Sequence, residues 1–194
     1  MDMDGARKGL PDFKSTTRDV RRILDKFNED EKGVDAVVLD LSQNGGGSLT
    51  EAINLTGLFI DTGPVVQVKG PDGKVQKYED VQEGLSWNGP LVIKTSRFSA
   101  SASEIVSGAL QDHDRALIVG ETSFGKALVQ TIFPLEGNRG LALTTGRYLT
   151  PSNRLIQRDY SDSFYEYYLT RSDNPEAESR DFQTDSGRTV FGGG

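Results

Sequence analysis

Ala36-Val37-Val38-Leu39-Asp40-Leu41-Ser42-Gln43-Asn44-Gly45-Gly46-Gly47-Ser48-Leu49-Thr50-Glu51 is the stretch that decides the fold. Its first six residues are a short apolar run rich in branched side chains, the pattern of a strand covered on both faces in a parallel sheet. Ser48 and Glu51 have the spacing of a capping box and open a helix whose buried face is Leu49, Ala52, Ile53, Thr56, Leu58 and Phe59. The glycines therefore lie between a strand end and a helix N-terminus, where backbone N–H groups can approach an anion closely. A plain turn that needs positive φ uses glycine for its own reason, and the run alone does not choose between the two.

The pattern extends outward on both sides. Upstream, Thr16-Thr17-Arg18-Asp19 reads as a helix start, and Val20, Ile23, Leu24 and Phe27 recur at helical spacing until Gly33. Downstream, Pro64 to Val68 and Lys74 to Tyr78 flank the turn Gly70-Pro71-Asp72-Gly73 and predict a hairpin. Pro90 to Ile93, Ser101 to Gln111 and Arg115 to Gly120 follow in the order strand, helix, strand, which is a βαβ crossover. From Leu128 the chain becomes β-rich, with Val129 to Phe133, Gly140 to Thr145, Arg147 to Leu149 and Leu155 to Gln157. The fold class is α/β, stacked βαβ units with a β-rich C-terminal portion. Residues 1–171 are expected to form the core, and the polar composition of 172–194 predicts a solvated loop or a disordered tail.

Composition removes several function classes. A formal charge of −7 gives no basic stripe to displace counterions from a phosphate backbone, so nucleic acid is not expected as a partner. With no cysteine and one histidine, neither a thiolate nucleophile nor a zinc site of the usual ligands is expected. No apolar run is long enough to span a membrane, and the acidic start Met1-Asp2-Met3-Asp4 is not the basic lead of a signal peptide.

What the chain offers instead is hydroxyls and an amine. Ser99, Ser101 and Ser103 alternate at the start of the 101–111 helix, and Lys126 follows in Ser123-Phe124-Gly125-Lys126. A serine needs a base within hydrogen-bond reach. His113, at the end of the same helix, reads as a solvent-exposed helix-end residue, which leaves the lysine. To act as a base, its pKa must fall from about 10.4 to about 7, which desolvation can achieve, and Phe124 could supply the apolar wall. Spacing does not rank the three serines, and Ser101-Ala102-Ser103-Glu104 also fits a capping box that needs no chemistry. A rival reading is the phosphate-binding pattern from Gly120 to Lys126. It fails at Ala127, which has no hydroxyl for a metal ion, and at the strand-like segment after it.

Three motifs together, Asp40 to Gly47, Arg97 to Ile105 and Gly120 to Lys126, resemble the C-terminal processing, or tail-specific, proteases of serine peptidase family S41. The resemblance runs from about Phe13 to Gln157. It implies a ClpP/crotonase-like core, with Ser101 as nucleophile, Lys126 as general base, Gln130 as the lysine's orienting partner and Asp112 near the dyad. It also implies an oxyanion hole from the N–H groups of Gly47 and Ala102, with Gly46 beside them. The implied activity is endopeptidase cleavage of protein substrates near apolar C-terminal tails through an acyl-enzyme, without a cofactor, in the cell envelope or periplasm of a bacterium. Ser42 stands where the family often has Arg, and Ala127 where it often has Gly. The PDZ domain usual in the family is not visible, so the chain reads as a catalytic core. A catalytically silent scaffold of the same fold is the alternative from another class, and a crotonase-type acyl-CoA enzyme is a third.

Overall fold

The computed structural model describes residues 14–30, 33–137, 139–158 and 181–191. Helix α1 (Thr16–Glu29) leads into strand β1 (Val37–Asp40), helix α2 (Leu49–Thr56) and the hairpin β2 (Gly63–Lys69) and β3 (Val75–Asp80). Strand β4 (Leu91–Thr95), helix α3 (Ala102–Asp112) and strand β5 (Leu117–Gly120) form the βαβ crossover. Next come the long pair β6 (Leu128–Leu135) and β7 (Arg139–Leu149), and last the short pair β8 (Asp181–Gln183) and β9 (Thr189–Phe191).

The strands form three sheets. A parallel sheet has the order β1-β4-β5, an antiparallel one β3-β2-β7-β6, and β8 pairs with β9 alone. Asp40 pairs with Lys94, and Thr95 with Gly120, so β1 and β4 end side by side and release the loops at 41–48 and 96–101 from one edge. Ligand sites in open α/β sheets lie at these carboxyl ends.

The core fills the space between the two larger sheets and the helices. Phe59, Ile93 and Leu110 are wholly buried, with Leu24, Leu58, Val65, Val66 and Val106 scarcely less so. Burying a side chain of this kind is worth about 1.5–3 kcal/mol of transfer free energy. Only one face of the parallel sheet is covered, however. Val38, Leu117 and Val119 are exposed, which corrects the expectation of a strand shielded on both sides. The helices lie on one face, and the described residues put nothing on the other.

Two helix starts also differ from the sequence reading. The cap of α1 is Ser15, whose Oγ accepts from the Arg18 N–H at 3.2 Å, one residue before the expected start. Ser48 caps α2 by accepting from the Glu51 N–H, but the Glu51 carboxylate does not turn back to complete the box. Instead it accepts from Ser15 Oγ at 2.8 Å and from the Thr17 N–H and hydroxyl at 2.9 Å, tying α1 onto α2.

The last part of the chain is the larger correction. Residues 172–180 and 192–194 lie outside the described residues, but Asp181–Phe191 is a hairpin rather than a solvated tail. It docks on the end of α3. The Asp185 N–H donates to the Asp112 carbonyl at 2.8 Å, and His113 bridges Asp185 Oδ2 and the Pro64 carbonyl, each at 2.7 Å. His113 is thus a structural clasp, half-buried rather than solvent-exposed.

Asp114 receives the Ser186 N–H at 2.8 Å and the Arg188 Nε–H at 3.1 Å. Partial burial works against its charge, but donation from Ser186, Thr184 and Arg188 outweighs that and holds the carboxyl at about 2. A lowered carboxyl pKa contributes stability that is present above the unfolded value near 3.9 and is lost as pH falls toward 2. The group is near the surface, so the contribution is below about 1 kcal/mol. Amide exchange should therefore show protection across 181–191 falling between pH 4 and pH 2 while Ile93 keeps its protection. Equal retention in both regions would contradict this account of the docking.

Candidate active site

Three hydroxyls stitch the loop after β4 onto the loop after β1. Ser96 Oγ donates to the Ser42 carbonyl at 2.6 Å, Ser99 Oγ to the Leu41 carbonyl at 2.8 Å and Ser103 Oγ to the Asn44 carbonyl at 2.8 Å. The Ala100 N–H adds a bond to the Asn44 carbonyl at 3.2 Å. This ranks the alternating serines. Ser99 and Ser103 are buried and committed to backbone carbonyls, whereas Ser101 is half-exposed at the helix N-terminus.

Ser101 also has an unusual backbone, with φ 57° and ψ −115°. A non-glycine residue held there costs about 1–3 kcal/mol and persists only where its surroundings over-determine it. Gly46 is one such neighbour. Its φ is +102°, and a Cβ on it would lie 2.6 Å from the Ala100 carbonyl oxygen and 2.8 Å from Ser101 Cβ, so only glycine lets the two loops close.

Of the three expected oxyanion donors, Gly46 is already used, since its N–H donates to Asn44 Oδ1 at 2.9 Å. Among the described residues the N–H groups of Gly47 and Ala102 have no protein acceptor. Both residues line one surface pocket whose walls are apolar on one part, from Leu41, Ala52, Leu55 and Val106, and polar on another, from Thr16, Asn44, Ser48 and Glu51.

The second half of the site is organised by Glu104, one turn into α3 and 2% exposed. One carboxylate oxygen, Oε2, accepts from the Ser101 N–H at 2.7 Å and the Lys126 N–H at 2.9 Å. The other accepts from Ser123 Oγ at 2.7 Å and the Gly125 N–H at 2.5 Å. Burial pushes this carboxyl above its ordinary value, and donation from Lys126, Ser123, Gly125 and Ser101 opposes the rise. A single buried carboxylate therefore ties the loop carrying Ser101 to the loop carrying Lys126. The S-x-x-E pattern marks Glu104 as a helix cap, but its reach to residues 123–126 leaves no trace in local spacing.

The remaining expected residues are less concentrated. Lys126 lies in the 121–127 loop with its side chain exposed, and among the described residues no hydrogen bond joins it to Ser101. Phe124 does not wall it in. Its ring lies 5.0 Å from the Arg158 guanidinium carbon, which replaces the expected apolar pocket for the amine. Gln130 is on β6 beside a bulge at Val129/Gln130 and is exposed. Four extended residues span about 13 Å, against about 6 Å on a helix, so the i+4 spacing does not itself bring Gln130 to the lysine. Asp112 is at the far end of α3, about 15 Å of helix from Ser101. There it is 1% exposed, paired with Arg154 and accepting from the Ser152 N–H at 2.9 Å. That pairing makes Asp112 a fastening for the segment after β7, at the opposite end of α3 from Ser101. Because β6 follows Lys126 directly, the glycine-lysine segment also lacks the helix a phosphate loop needs.

Comparison with known proteins decides the lineage. The model of peptidase family S41 matches residues 9–161, most of the chain. The chain belongs to peptidase family S41. It is 46% identical over 122 residues to the tail-specific protease of Haemophilus influenzae, covering 62% of this chain and 17% of that protein. It is 47% identical over 121 residues to the carboxy-terminal-processing protease of Bartonella bacilliformis, covering 62% of this chain and 28% of that one. Among solved structures, the photosystem II D1 C-terminal processing protease superposes with a TM-score of 0.66 at 36% identity, over 73% of this chain and 36% of that chain. This S41 chain thus spans about a quarter or less of the length of the first two relatives. Its mixed α/β architecture, a parallel sheet followed by a β-rich portion, is that of the S41 structures.

Proposed function

We propose that this chain carries the catalytic centre of a serine endopeptidase that cleaves protein substrates near their C-termini through an acyl-enzyme. The observation that carries the reading is Ser101, a hydroxyl held at φ 57° on the N-terminus of α3 while both neighbouring serines are spent on backbone carbonyls. Its Oγ attacks the scissile carbonyl carbon as the Lys126 amine takes the hydroxyl proton. The oxyanion is received by the N–H groups of Gly47 and Ala102, where the positive end of the helix adds to the stabilisation. Collapse of the tetrahedral adduct breaks the C–N bond, and Lys126 returns the proton to the leaving amine. Water then hydrolyses the acyl-serine by the same proton route.

The apolar part of the pocket beside Gly47 and Ala102, formed by Leu41, Ala52, Leu55 and Val106, fits a small apolar side chain on the acyl side of the cleaved bond. This agrees with substrates whose tails are apolar. Gln130 as orienting partner of Lys126 belongs to the same proposal and requires the start of β6 to carry it toward the amine. The bacterial envelope setting implied by the resemblance also belongs here. Among the described residues no helix is long and apolar enough to cross a membrane.

Exposure of Lys126 favours a second reading, in which this core is silent until another segment or the substrate covers the amine. Lys126→Arg separates the possibilities. Guanidinium keeps the charge but does not deprotonate in the working range, so cleavage of a peptide with an apolar tail should fall at least a thousand-fold while the fold is kept. His113→Asn should leave cleavage largely intact. An active Lys126→Arg enzyme would overturn the Ser/Lys assignment, and a wild type that a fluorophosphonate labels on Ser101 but that shows no measurable turnover would favour the silent core.

A further inference from the structure

Tyr148, near the end of β7, reaches the same two loops from the opposite side. It is 4% exposed, and its hydroxyl donates to the Lys126 carbonyl while its N–H donates to the Ala127 carbonyl at 2.9 Å. Lys126 is therefore held at both ends of its backbone, with Glu104 accepting from the N–H and Tyr148 donating to the C=O. The Ala127 N–H is also fixed, donating to Gln157 Oε1 at 2.8 Å, so the chain entering β6 has little freedom to turn.

The same phenol bears on Ser101. Burial and the nearby Glu104 carboxylate push the Tyr148 hydroxyl well above its ordinary value, and the Ser101 hydroxyl acts in the opposite direction. A phenol placed this way stays a neutral donor throughout the working range.

We infer that Tyr148 is a positioning residue for the reaction, its hydroxyl fixing the Lys126 carbonyl so that the lysine side chain leaves the backbone toward Ser101. The inference rests on the Ser/Lys reading above. A displacement of about 1 Å in a reacting group can cost on the order of a hundred-fold in rate, and a peptide unit released at one end can move by that much.

The test compares wild type, Tyr148→Phe and Leu24→Ala, the last a buried residue of α1 away from the site. Each is treated with a fluorophosphonate, with which the Ser101 Oγ–P bond forms, the P–F bond breaks, fluoride leaves and the hydroxyl proton passes to Lys126. Tyr148→Phe should label to full extent but about ten- to a hundred-fold more slowly, whereas Leu24→Ala should label at the wild-type rate for whatever fraction is folded. A Tyr148→Phe protein that labels at the wild-type rate, at full or reduced extent, overturns the positioning role. The 13C shift of the Lys126 carbonyl gives an independent reading and should move in Tyr148→Phe. If it does not move, the clamp is absent and the inference fails while the Ser/Lys reading stands. A wild type that does not label at all overturns the Ser/Lys reading and this inference with it.

Discussion

Replacing Glu104 with Gln is expected to lower cleavage at least a hundred-fold and to destabilise the fold by about 3 kcal/mol, although the two side chains have nearly the same shape. Both carboxylate oxygens are acceptors, and together they receive four donors: three backbone N–H groups and the Ser123 hydroxyl. An amide offers one acceptor oxygen, and its NH2 must face donors on the other side. Turned with its NH2 toward Ser101 and Lys126, it loses both bonds and sets two N–H donors against a donor. Turned the other way, it loses the Gly125 bond while the Ser123 hydroxyl rotates to accept, and the bonds that remain lose their charge assistance. Each confronted donor costs about 1–3 kcal/mol. If the NH2 faces Ser101 and Lys126, the link between the two loops is lost. If it faces Ser123 and Gly125, the lysine loop loses its bond at Gly125. For a chain of this length about 3 kcal/mol corresponds to a melting shift of about 10 °C. Thermal melts and peptide turnover on the same preparations check both parts. A Glu104→Gln protein with wild-type turnover would show that the bridge is not needed for the reaction.

Ser101→Ala is expected to remove cleavage to the background of the uncatalysed reaction while leaving the fold intact. The strained backbone at 101 should persist with Ala, since it is imposed by Gly46 and by the Ser101 N–H bond to Glu104, neither of which uses the hydroxyl. Ser101→Gly should be equally inactive but more stable by about 1 kcal/mol, because glycine accepts positive φ without penalty. Ser99→Ala and Ser103→Ala break stitches between loops, so each should cost about 1 kcal/mol of stability and only part of the activity. Loss of all cleavage in Ser103→Ala with Ser101→Ala still active would shift the nucleophile by one place in the alternation.

The parts of this fold that were legible in the sequence are those governed by local rules. The run from Ala36 to Leu41, the Gly70 to Gly73 turn and the order strand, helix, strand around Ser101 each carry a period or a turn residue, and the structure has an element at each. Boundary errors arose where a side chain found a distant partner. Glu51 left its capping box for Ser15 and Thr17, and Glu104 used its box and then reached residues 123–126. The 181–191 hairpin carries little local signal because its strands are only three residues each, Asp181-Phe182-Gln183 and Thr189-Val190-Phe191, and are held by Asp112, His113 and Asp114, some seventy residues away in sequence. The site was legible only in pieces. Alternating serines gave no order of preference from spacing, and it took the bonds of Ser99 and Ser103 to Leu41 and Asn44 to set Ser101 apart. The expected burial of Lys126 by Phe124 is not met: the lysine is exposed, and the Phe124 ring lies against the Arg158 guanidinium.

The measurement that bears most directly on the nucleophile is fluorophosphonate labelling read by intact-protein mass spectrometry, with the adduct located by peptide mapping. One adduct per wild-type chain is expected, on Ser101. Ser101→Ala should carry none, and Ser99→Ala and Ser103→Ala should still be labelled at Ser101. An adduct on Ser99 or Ser103 in the wild type, or a labelled Ser101→Ala protein, would contradict that expectation.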